Sequence, residues 1–294
     1  MFVYLNNKIV PSAEARVSVF DHGFLYGDGI YETMRVYEGV VFKIDEHLKR
    51  LRRSASLIGL DIPKTADDIK SAIYDTLLAN ELSEAYVRLT VSRGYGEIGL
   101  DPDLCKEPTF IIVAEKFKHY PRSYYDEGIT LHIASVRRNI KEALNPQIKS
   151  LNFLNNILAK IEAKKADANE AIMLNAAGHL AEGTVSNIFF MKDGVLHTPS
   201  TECGILDGIT RSLVIDLAIN NAVPVKEGEY GPGELKDAFE VFITNSTMEV
   251  MPVSRVDVMR FGVGETARLL LEKYRKEVKG YVREKKEESP SVWE

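Results

Sequence analysis

The sequence predicts an α/β protein of two domains, with a small N-terminal domain and a larger C-terminal domain. Its 294 residues suffice for two domains of ordinary size. Helical and strand patterns mix in the first 118 residues, whereas strand patterns dominate the middle of the second half. Between them, the segment HYPRSYYDEG at 119–128 combines Pro, Gly and charge with little periodicity, which indicates an interdomain linker.

The N-terminal domain, residues 1–118, is predicted from short alternating runs and from apolar residues at helical spacing. We expect it to be the substrate-side domain. Its strands are predicted at Phe2–Leu5, Tyr86–Ser92 and Thr109–Glu115, and its helices at Glu46–Ile58 and Ala66–Ala79.

The C-terminal domain, residues 129–280, begins with the alternating strand ITLHIASV. A helix follows over Phe153–Ala168, with Leu154, Ile157, Leu158 and Ile161 on one face. Strands at Asn187–Met191 and Val195–Thr198 flank Asp193-Gly194, a dipeptide typical of a hairpin turn. The remaining predicted elements are a helix at Leu213–Asn220, a strand at Phe239–Thr244, a helix at Glu265–Val278 and a charged, frayed tail at 281–294.

Composition and charge argue against several classes of protein. The chain has 43 acidic and 37 basic residues, a formal charge of -6, whereas nucleic-acid binders usually carry a basic face. No apolar run approaches the ~18 residues that a membrane helix needs, and Met1–Pro11 alternates rather than forming a signal-peptide core. Cys105 and Cys203 lie far apart with no histidine at ligand spacing. We expect a cytoplasmic protein that binds no metal, nucleic acid or membrane.

Gly94–Gly99 matches the pattern GxGxxG after a predicted strand. A dinucleotide site needs a helix directly after that pattern to bind the pyrophosphate, and LDPDLCKEP follows instead. We therefore interpret the segment as a loop that covers substrate. An oxidoreductase and a non-catalytic scaffold remain alternatives, which cofactor colour would distinguish.

Lys149 lies just ahead of the amphipathic helix, in the segment NPQIKSLNFLNNILAK of residues 145–160. A lysine there is usually a solvated charge. If the amine is partly buried instead, desolvation and a cationic neighbour lower its pKa and release the nucleophilic form. IKSLN followed by LNNILAKIEA resembles the lysine segment of the class IV aminotransferases. That family includes branched-chain and D-amino-acid transaminases and aminodeoxychorismate lyase.

The resemblance covers nearly the whole chain and includes four further segments, FDHGFLYGDGIYETMRVYEG, HLKRLRRSA, HLAEGTVSNIFF with LDGITRS, and TNSTMEVMP. It implies the fold of a type IV pyridoxal-phosphate enzyme, whose larger domain contains a mixed, barrel-like sheet. It also implies pyridoxal 5'-phosphate as cofactor and a homodimer. Lys149 would carry the cofactor as a Schiff base and would be the catalytic residue.

The same resemblance implies the other site residues. Arg50 would bind the cofactor phosphate and Glu182 the pyridine nitrogen, where a carboxylate favours the protonated ring. The cofactor-binding residues implied are Arg50, Lys149, Glu182, Gly208, Ile209, Thr210, Ser246 and Thr247. The substrate-binding residues implied are Tyr26, Tyr31, Thr33, Arg35, Arg88 and Arg93. Lys149 would then transfer a proton, and ping-pong transfer from an amino acid to 2-oxoglutarate or another 2-oxo acid would follow.

The substrate remains open because the chain departs from each subfamily. Phe153 stands where branched-chain enzymes have a tyrosine, although Arg88 and the loop GEIGLDP are branched-chain features. GDGIYE and Arg93 resemble D-amino-acid transaminases, whose partner histidine is absent here. Thr33 and NSTMEVMP are shared with the lyases, whose loop arginine is missing. The sequence favours D-amino acids, with branched-chain L-amino acids as the first alternative and the lyase as the second.

Overall fold

The computed structural model describes residues 1–288, which form two compact units. The first unit comprises Met1–Lys118, Ile148–Asn152 and residues 278–288, and the second comprises His119–Gln147 and Phe153–Glu277. This division differs from the predicted domain of 129–280, because the segment around Lys149 leaves the second unit and joins the first.

The first unit is built on an antiparallel sheet of six strands. Its strands are β1 (Phe2–Leu5), β2 (Lys8–Pro11), β3 (Gly29–Tyr37), β4 (Val40–Val41), β5 (Ala85–Ser92) and β6 (Thr109–Lys116), in the order β2-β1-β6-β5-β3-β4. The helices are α1 (His22–Tyr26), α2 (Ile44–Leu57) and α3 (Ala66–Ala79). The predicted helices and strands of this half are therefore confirmed to within two residues, and β2, β3, β4 and α1 are additional elements.

Alternation along the strands separates a core face from a polar face. On β5, Val87, Leu89 and Val91 are buried in the core that α2 and α3 complete. Because side chains alternate along a strand, Arg88 points to the other face. On β3 the register pairs Thr33 with Arg88, which places both residues on that polar face.

The second unit contains a mixed sheet of nine strands. Its strands are β7 (Ile129–Ile133), β8 (Glu170–Leu174), β9 (Leu180–Gly183), β10 (Asn187–Lys192), β11 (Val195–Pro199), β12 (Val225–Gly228), β13 (Glu240–Asn245), β14 (Glu249–Val256) and β15 (Met259–Arg260). The order is β12-β11-β10-β13-β14-β7-β8-β9, with β15 beside β14. The pairs β11 with β12, β14 with β7, and β7 with β8 are parallel. The mixed sheet expected for the larger domain is therefore present.

Four further α-helices lie in the described part of the chain: α4 (Arg122–Glu127), α5 (Leu154–Lys165), α6 (Ile209–Asn220) and α7 (Glu265–Glu288). The predicted hairpin is confirmed, since β10 and β11 pair across Asp193 and Gly194, both with positive φ. The predicted linker 119–128 contains α4, so it is not a structureless connection. The predicted tail 281–294 is helical as far as Glu288, and its residues 289–294 lie outside the described residues.

Helix α5 does not bury the face that its sequence pattern suggests. Leu154, Ile157, Leu158 and Ile161 are 67%, 51%, 44% and 43% exposed, whereas the small residues Ala159 and Ala163 and the amide Asn156 are buried. Amphipathic spacing identifies an apolar face, but it does not identify what covers that face. This face is open in the single chain.

Membrane spans and metal clusters are absent from the described residues. No helix within residues 1–288 is long and apolar enough to cross a membrane. In the same part of the chain, no group of three or more His, Cys, Asp or Glu residues could hold a metal ion. Cys105 and Cys203 are free thiols. Gly94–Gly99 leads through a loop to a 3₁₀ turn at Pro102–Leu104, which agrees with the loop interpretation.

Candidate active site

Lys149 is held in the first unit by its backbone. Its N–H donates to Ser54 Oγ of α2 at 3.1 Å, and its carbonyl accepts from Tyr31 N of β3 at 3.0 Å. The neighbouring Leu151 N donates to Gly29 O, so this short segment runs along β3. The lysine side chain is half-buried, and its Nζ lies 4.6 Å from the centre of the Tyr31 ring. The segment therefore fixes where the amine lies.

Tyr31 and Arg88 form the surroundings of that amine. The Arg88 guanidinium lies 3.9 Å from the Tyr31 ring centre, and no carboxylate within residues 1–288 pairs with it. Burial raises the pKa of the Tyr31 hydroxyl, so this group stays protonated. Thr33 stands opposite Arg88 in the register. A cation, a phenol and an amine are thus close together on the polar face of the sheet.

The other two candidate arginines are engaged in ion pairs. Arg35 is buried, pairs with Glu84, donates to Val36 O and packs on the Phe117 ring at 3.5 Å. It therefore holds two strands and a loop together. The expectation that Arg35 reaches the substrate pocket finds no support in these contacts.

Arg93 is engaged in the same way. It is buried and pairs through Nε and Nη2 with Asp28, at 2.5 and 3.1 Å. Its Nη1 and Nη2 also donate to Gly59 O and Ile58 O, just beyond α2. These four bonds occupy both edges of the guanidinium. These contacts tie Arg93 to Asp28 and to the segment after α2, and its role as a substrate ligand stays a prediction.

Tyr26 positions a loop. Its hydroxyl accepts from Gly99 N at 3.2 Å, and its ring packs edge-on against His22, whose Nε2 lies 2.9 Å from Glu97 O. Helix α1 therefore holds the Gly94–Gly99 segment at both Glu97 and Gly99.

Arg50 lies in a buried cluster rather than on the surface. Its Nε and Nη2 donate to the two carboxylate oxygens of Glu32 at 2.7 and 2.8 Å, and His47 Nδ1 lies 2.7 Å from Glu32 Oε2. Burial raises the pKa of Glu32, but Arg50 and His47 outweigh that effect and hold it well below its usual range. Sequence reasoning missed Glu32 and His47, although a charged residue in an otherwise apolar strand face was a usable signal.

In the second unit, Glu182 on β9 is buried and held by two donors. Arg138 Nε donates to its Oε1 at 2.7 Å, and Leu206 N donates to its Oε2 at 2.9 Å. These two donors fix the orientation of the carboxylate in its buried position. Arg138 was also missed, because an arginine 44 residues away in sequence shows no pattern with a glutamate.

Gly208 is the N-cap of α6, and no side chain within residues 1–288 caps this helix. A Cβ at Gly208 would lie 2.1 Å from Asn187 Oδ1, so a larger residue would displace the Asn187 side chain. The Asn187 amide in turn donates to Leu206 O. The first N–H groups of α6, from Ile209 and the buried Thr210, are the kind of donors that bind phosphate. Asn187 was not foreseen as the residue that positions them.

Ser246 and Thr247 form the turn between β13 and β14. Asn245 Oδ1 accepts from Thr247 N at 2.9 Å and from Thr247 Oγ1 at 3.0 Å, which fixes the turn. In the same unit the buried hydroxyls of Ser186 and Thr244 have no partner among residues 1–288. Buried polar groups are normally satisfied, so these two hydroxyls point to a ligand or a water.

Residues 29–256 match the model of the family described as amino-transferase class IV. The chain belongs to the class IV aminotransferases. It is therefore an aminotransferase, and members of this class are pyridoxal-phosphate enzymes. The family predicted from the lysine segment and the four other segments is confirmed.

Two relatives of this class IV aminotransferase differ in the substrate that their names give. The chain is 44% identical over 278 residues to a putative branched-chain-amino-acid aminotransferase of Methanocaldococcus jannaschii, covering 94% of this chain and 96% of the relative. It is 35% identical to a D-alanine aminotransferase of Listeria monocytogenes over 268 residues, covering 90% and 91%.

The fold also matches solved structures of the class. One of them is a branched-chain aminotransferase of the thermophilic archaeon Thermoproteus uzoniensis, crystallised with norvaline. The TM-score is 0.89 at 34% identity, with 94% of this chain and 94% of that chain covered. The predicted two-domain fold of type IV pyridoxal-phosphate enzymes is confirmed.

The groups present fit the cofactor of this class. The first unit supplies the half-buried amine of Lys149 and the guanidinium of Arg50, which Glu32 orients. The second unit supplies a buried carboxylate at Glu182, an uncapped helix start at Gly208 and two unpartnered hydroxyls. By type, the amine suits an aldehyde, the carboxylate suits a ring nitrogen, and the guanidinium and N–H donors suit a phosphate.

Proposed function

We propose that this chain is a branched-chain L-amino-acid aminotransferase that uses pyridoxal 5'-phosphate and 2-oxoglutarate. The observation that carries the proposal is the position of Lys149 Nζ and Arg88 on the same ring, that of Tyr31. Arg88 is one of the two features, with the loop GEIGLDP, in which the sequence resembles branched-chain enzymes. Arg93, which suggested a D-amino-acid enzyme, is engaged by Asp28. The 44% identity to a relative named for branched-chain substrates supports the same choice.

The cofactor, when bound, supplies the electron sink that lets an amino acid lose its α-proton. Lys149 would carry the cofactor through its Nζ, and the same amine would accept and return the proton of the substrate Cα. Its Nζ suits this role because Ser54 and Tyr31 fix the backbone on both sides of it. The catalytic residue is thus held in place by two backbone hydrogen bonds.

The remaining cofactor contacts in this proposal come from two oriented side chains and from backbone donors. Glu182 would pair with the pyridine nitrogen, and Arg138 orients its carboxylate through a charge-assisted hydrogen bond. Arg50 binds the phosphate as a guanidinium oriented by Glu32. The other phosphate donors are the backbone and hydroxyl groups of Gly208, Ile209, Thr210, Ser246 and Thr247.

Arg88 provides the positive charge for a substrate carboxylate. It lies over Tyr31, is half-buried and has no carboxylate partner within residues 1–288, so it can accept one from the substrate. Tyr31 contributes an aromatic wall for an aliphatic side chain, and Thr33 lies beside Arg88. A dicarboxylic acceptor such as 2-oxoglutarate uses the cation, and a branched-chain donor uses the apolar wall.

A D-amino-acid transaminase is the second candidate, which the 35% identical D-alanine relative and the segment GDGIYE favour. A lyase related to the aminodeoxychorismate enzymes is the third, on the basis of Thr33 and NSTMEVMP. The lyase reaction proceeds without any 2-oxo acid acceptor, whereas both transaminases require one. Dependence of turnover on 2-oxoglutarate therefore separates the third candidate from the first two.

We also propose a homodimer in the cytoplasm. The open apolar face of α5, formed by Leu154, Ile157, Leu158 and Ile161, supports self-association, because exposed contiguous apolar faces mark interaction surfaces. Leu158→Glu should shift the molecular mass measured by light scattering from dimer to monomer, whereas Lys164→Glu at the polar end of the helix should not. A dimer that persists in the first variant would contradict this role for α5. Two free thiols are consistent with a reducing compartment.

The experiment that tests the proposed function is initial-rate kinetics with L-leucine and 2-oxoglutarate. A family of parallel double-reciprocal lines is expected, because the amino group leaves on the first product before the acceptor binds. Lys149→Ala should be colourless and inactive under the same conditions. Intersecting lines, or turnover without an acceptor, would contradict the transaminase mechanism.

A further inference from the structure

Glu32, His47 and Arg50 form a hydrogen-bonded cluster in the first unit. Of these three residues, only Arg50 has a role in the proposed function. The side chains of Glu32 and His47 are 0% and 2% exposed, and that of Arg50 is 9% exposed. We propose that Glu32 and His47 are positioning residues that orient the Arg50 guanidinium toward the cofactor phosphate. This inference rests on the proposed binding of pyridoxal phosphate.

The position of Glu32 in β3 is the first argument. Its neighbours on the same face of the strand, Ile30, Met34 and Val36, are fully buried in the apolar core. Alternation therefore predicts an apolar residue at position 32. A buried ion pair is often no more stabilising than an apolar pair of the same size, so stability alone does not explain a carboxylate there.

The geometry of the pair is the second argument. Glu32 accepts from both Nε and Nη2 of Arg50, which fixes the plane and the direction of the guanidinium. A guanidinium has a side edge, formed by Nε and Nη2, and an end edge, formed by Nη1 and Nη2. Glu32 binds the side edge, so the end edge points away from Glu32. Phosphate recognition requires a guanidinium edge at a defined angle. The carboxylate thus sets the direction of the edge that meets an anion.

His47 completes the arrangement as a neutral donor. Its Nδ1 lies 2.7 Å from Glu32 Oε2, and burial lowers the pKa of the imidazole, an effect that the contact with Glu32 offsets only in part. Arg50 and Lys149 lower it further because they are cations. The ring is therefore uncharged at neutral pH and donates Nδ1–H to the carboxylate. Glu32 keeps one negative charge, which Arg50 balances.

Helix α2 connects this cluster to the catalytic lysine. His47, Arg50 and Ser54 follow one another at spacings of three and four residues, so they share one face of the helix. Ser54 Oγ accepts the backbone N–H of Lys149. One helix face therefore carries both the proposed phosphate ligand and the anchor of the lysine segment.

The test compares the affinity of the apoprotein for pyridoxal 5'-phosphate with its affinity for pyridoxal, which lacks the phosphate. His47→Leu removes the donor, and Glu32→Gln removes the charge. Both should weaken binding of pyridoxal 5'-phosphate about tenfold, which corresponds to ~1.4 kcal/mol. Binding of pyridoxal should not change. His47→Asn keeps an N–H donor near the position of Nδ1 and should retain most of the wild-type preference.

Leu51→Ala is the matched control, because Leu51 is buried on the same helix without contacting the cluster through a hydrogen bond. It should lower thermal stability and leave the ratio of the two affinities unchanged. If His47→Leu weakens both ligands equally, or changes neither, the positioning role is wrong. If His47→Leu does not fold, Glu32→Gln and His47→Asn test the proposal through the same ratio of the affinities for pyridoxal 5'-phosphate and pyridoxal.

A failure of the proposed function would look different. Wild-type apoprotein that binds pyridoxal 5'-phosphate no better than pyridoxal would overturn phosphate binding itself, and the inference with it. Wild type that prefers the phosphate, together with an Arg50→Ala variant that keeps the full preference, would overturn only the role of Arg50 and its two partners.

Discussion

The guanidinium of Arg88 and the phenol ring of Tyr31 are 3.9 Å apart, measured to the ring centre. Lys149 Nζ lies 4.6 Å from the same centre. The amine that bears the cofactor in our proposal and the cation that binds substrate therefore share one aromatic neighbour. The positions of Tyr31 and Arg88 are set by the antiparallel register of β3 and β5, and that of Lys149 is set by the backbone hydrogen bonds of the segment 148–152.

Arg88→Leu should raise the KM for 2-oxoglutarate roughly 10- to 100-fold, the range that a lost charge-assisted hydrogen bond of ~1.5–3 kcal/mol gives. The KM for L-leucine should change less if the side-chain carboxylate of the acceptor is what Arg88 binds. Thermal stability should stay close to that of the wild type, because no ion pair is broken within residues 1–288. Steady-state kinetics and a thermal melt measure both quantities.

Arg93→Leu, in contrast to Arg88→Leu, should lower stability. It leaves Asp28 and the carbonyls of Ile58 and Gly59 without their donor, so we expect a loss of about 3 kcal/mol of unfolding free energy. Denaturant titration measures this loss. If Arg93→Leu were stable and changed only the KM for substrate, the D-amino-acid interpretation of Arg93 would be restored.

Glu182→Gln should slow the half-reaction about 100-fold, because the amide cannot stabilise a protonated pyridine nitrogen. Arg138 would also lose its anionic partner. Stopped-flow absorbance of the holoenzyme with excess amino acid measures this rate. Glu182→Asp keeps the charge, so its half-reaction rate should lie between those of the wild type and Glu182→Gln. Equal rates for Glu182→Gln and wild type would rule out the contact with the ring nitrogen.

Stability should depend on the ionisation of His47. The pKa of His47 is lowered in the folded state from its ordinary value near 6.5. Below pH 6.5 the unfolded chain therefore binds more protons than the folded chain. The contribution of His47 is therefore present above that pH and is lost as the pH falls below it. Glu32, whose pKa is also lowered, loses its contribution only in more acid solution, from about pH 4.5 downwards.

The variant His47→Asn does not titrate and isolates this effect. Between pH 7.5 and pH 5.5 the melting temperature of the wild type should fall more than that of His47→Asn, since all other titrating groups are common to both. Differential scanning calorimetry at the two pH values measures the difference. Parallel decreases in the two proteins would show that His47 is not held neutral.

The sequence was sufficient for the family, for most helices and strands, and for Lys149 as the candidate catalytic residue, because motif segments keep their order along the chain. It was not sufficient for the ion pairs. Arg35, Arg88 and Arg93 look alike in sequence, and only the structure shows that Arg35 and Arg93 form ion pairs whereas Arg88 lies beside Tyr31. Pairing over long sequence separations leaves no periodic pattern.

Two further differences have similar physical causes. Residues 148–152 belong to the first unit although the chain on both sides belongs to the second. Sequence patterns do not predict that a short segment returns to the other unit. The apolar face of α5 has the spacing of a core helix, yet it is exposed in the single chain. Periodicity identifies the apolar face of a helix. It does not identify the surface that covers this face, which lies elsewhere in the sequence or on another molecule.

The substrate assignment is the central claim that a single measurement tests most directly. The holoenzyme is mixed separately with L-leucine, D-alanine, D-glutamate and L-glutamate, without acceptor, and the yellow absorbance band is followed. Our account predicts that L-leucine and L-glutamate bleach the band much faster than either D-amino acid. Faster bleaching by D-alanine or D-glutamate would contradict it and would identify the chain as a D-amino-acid transaminase.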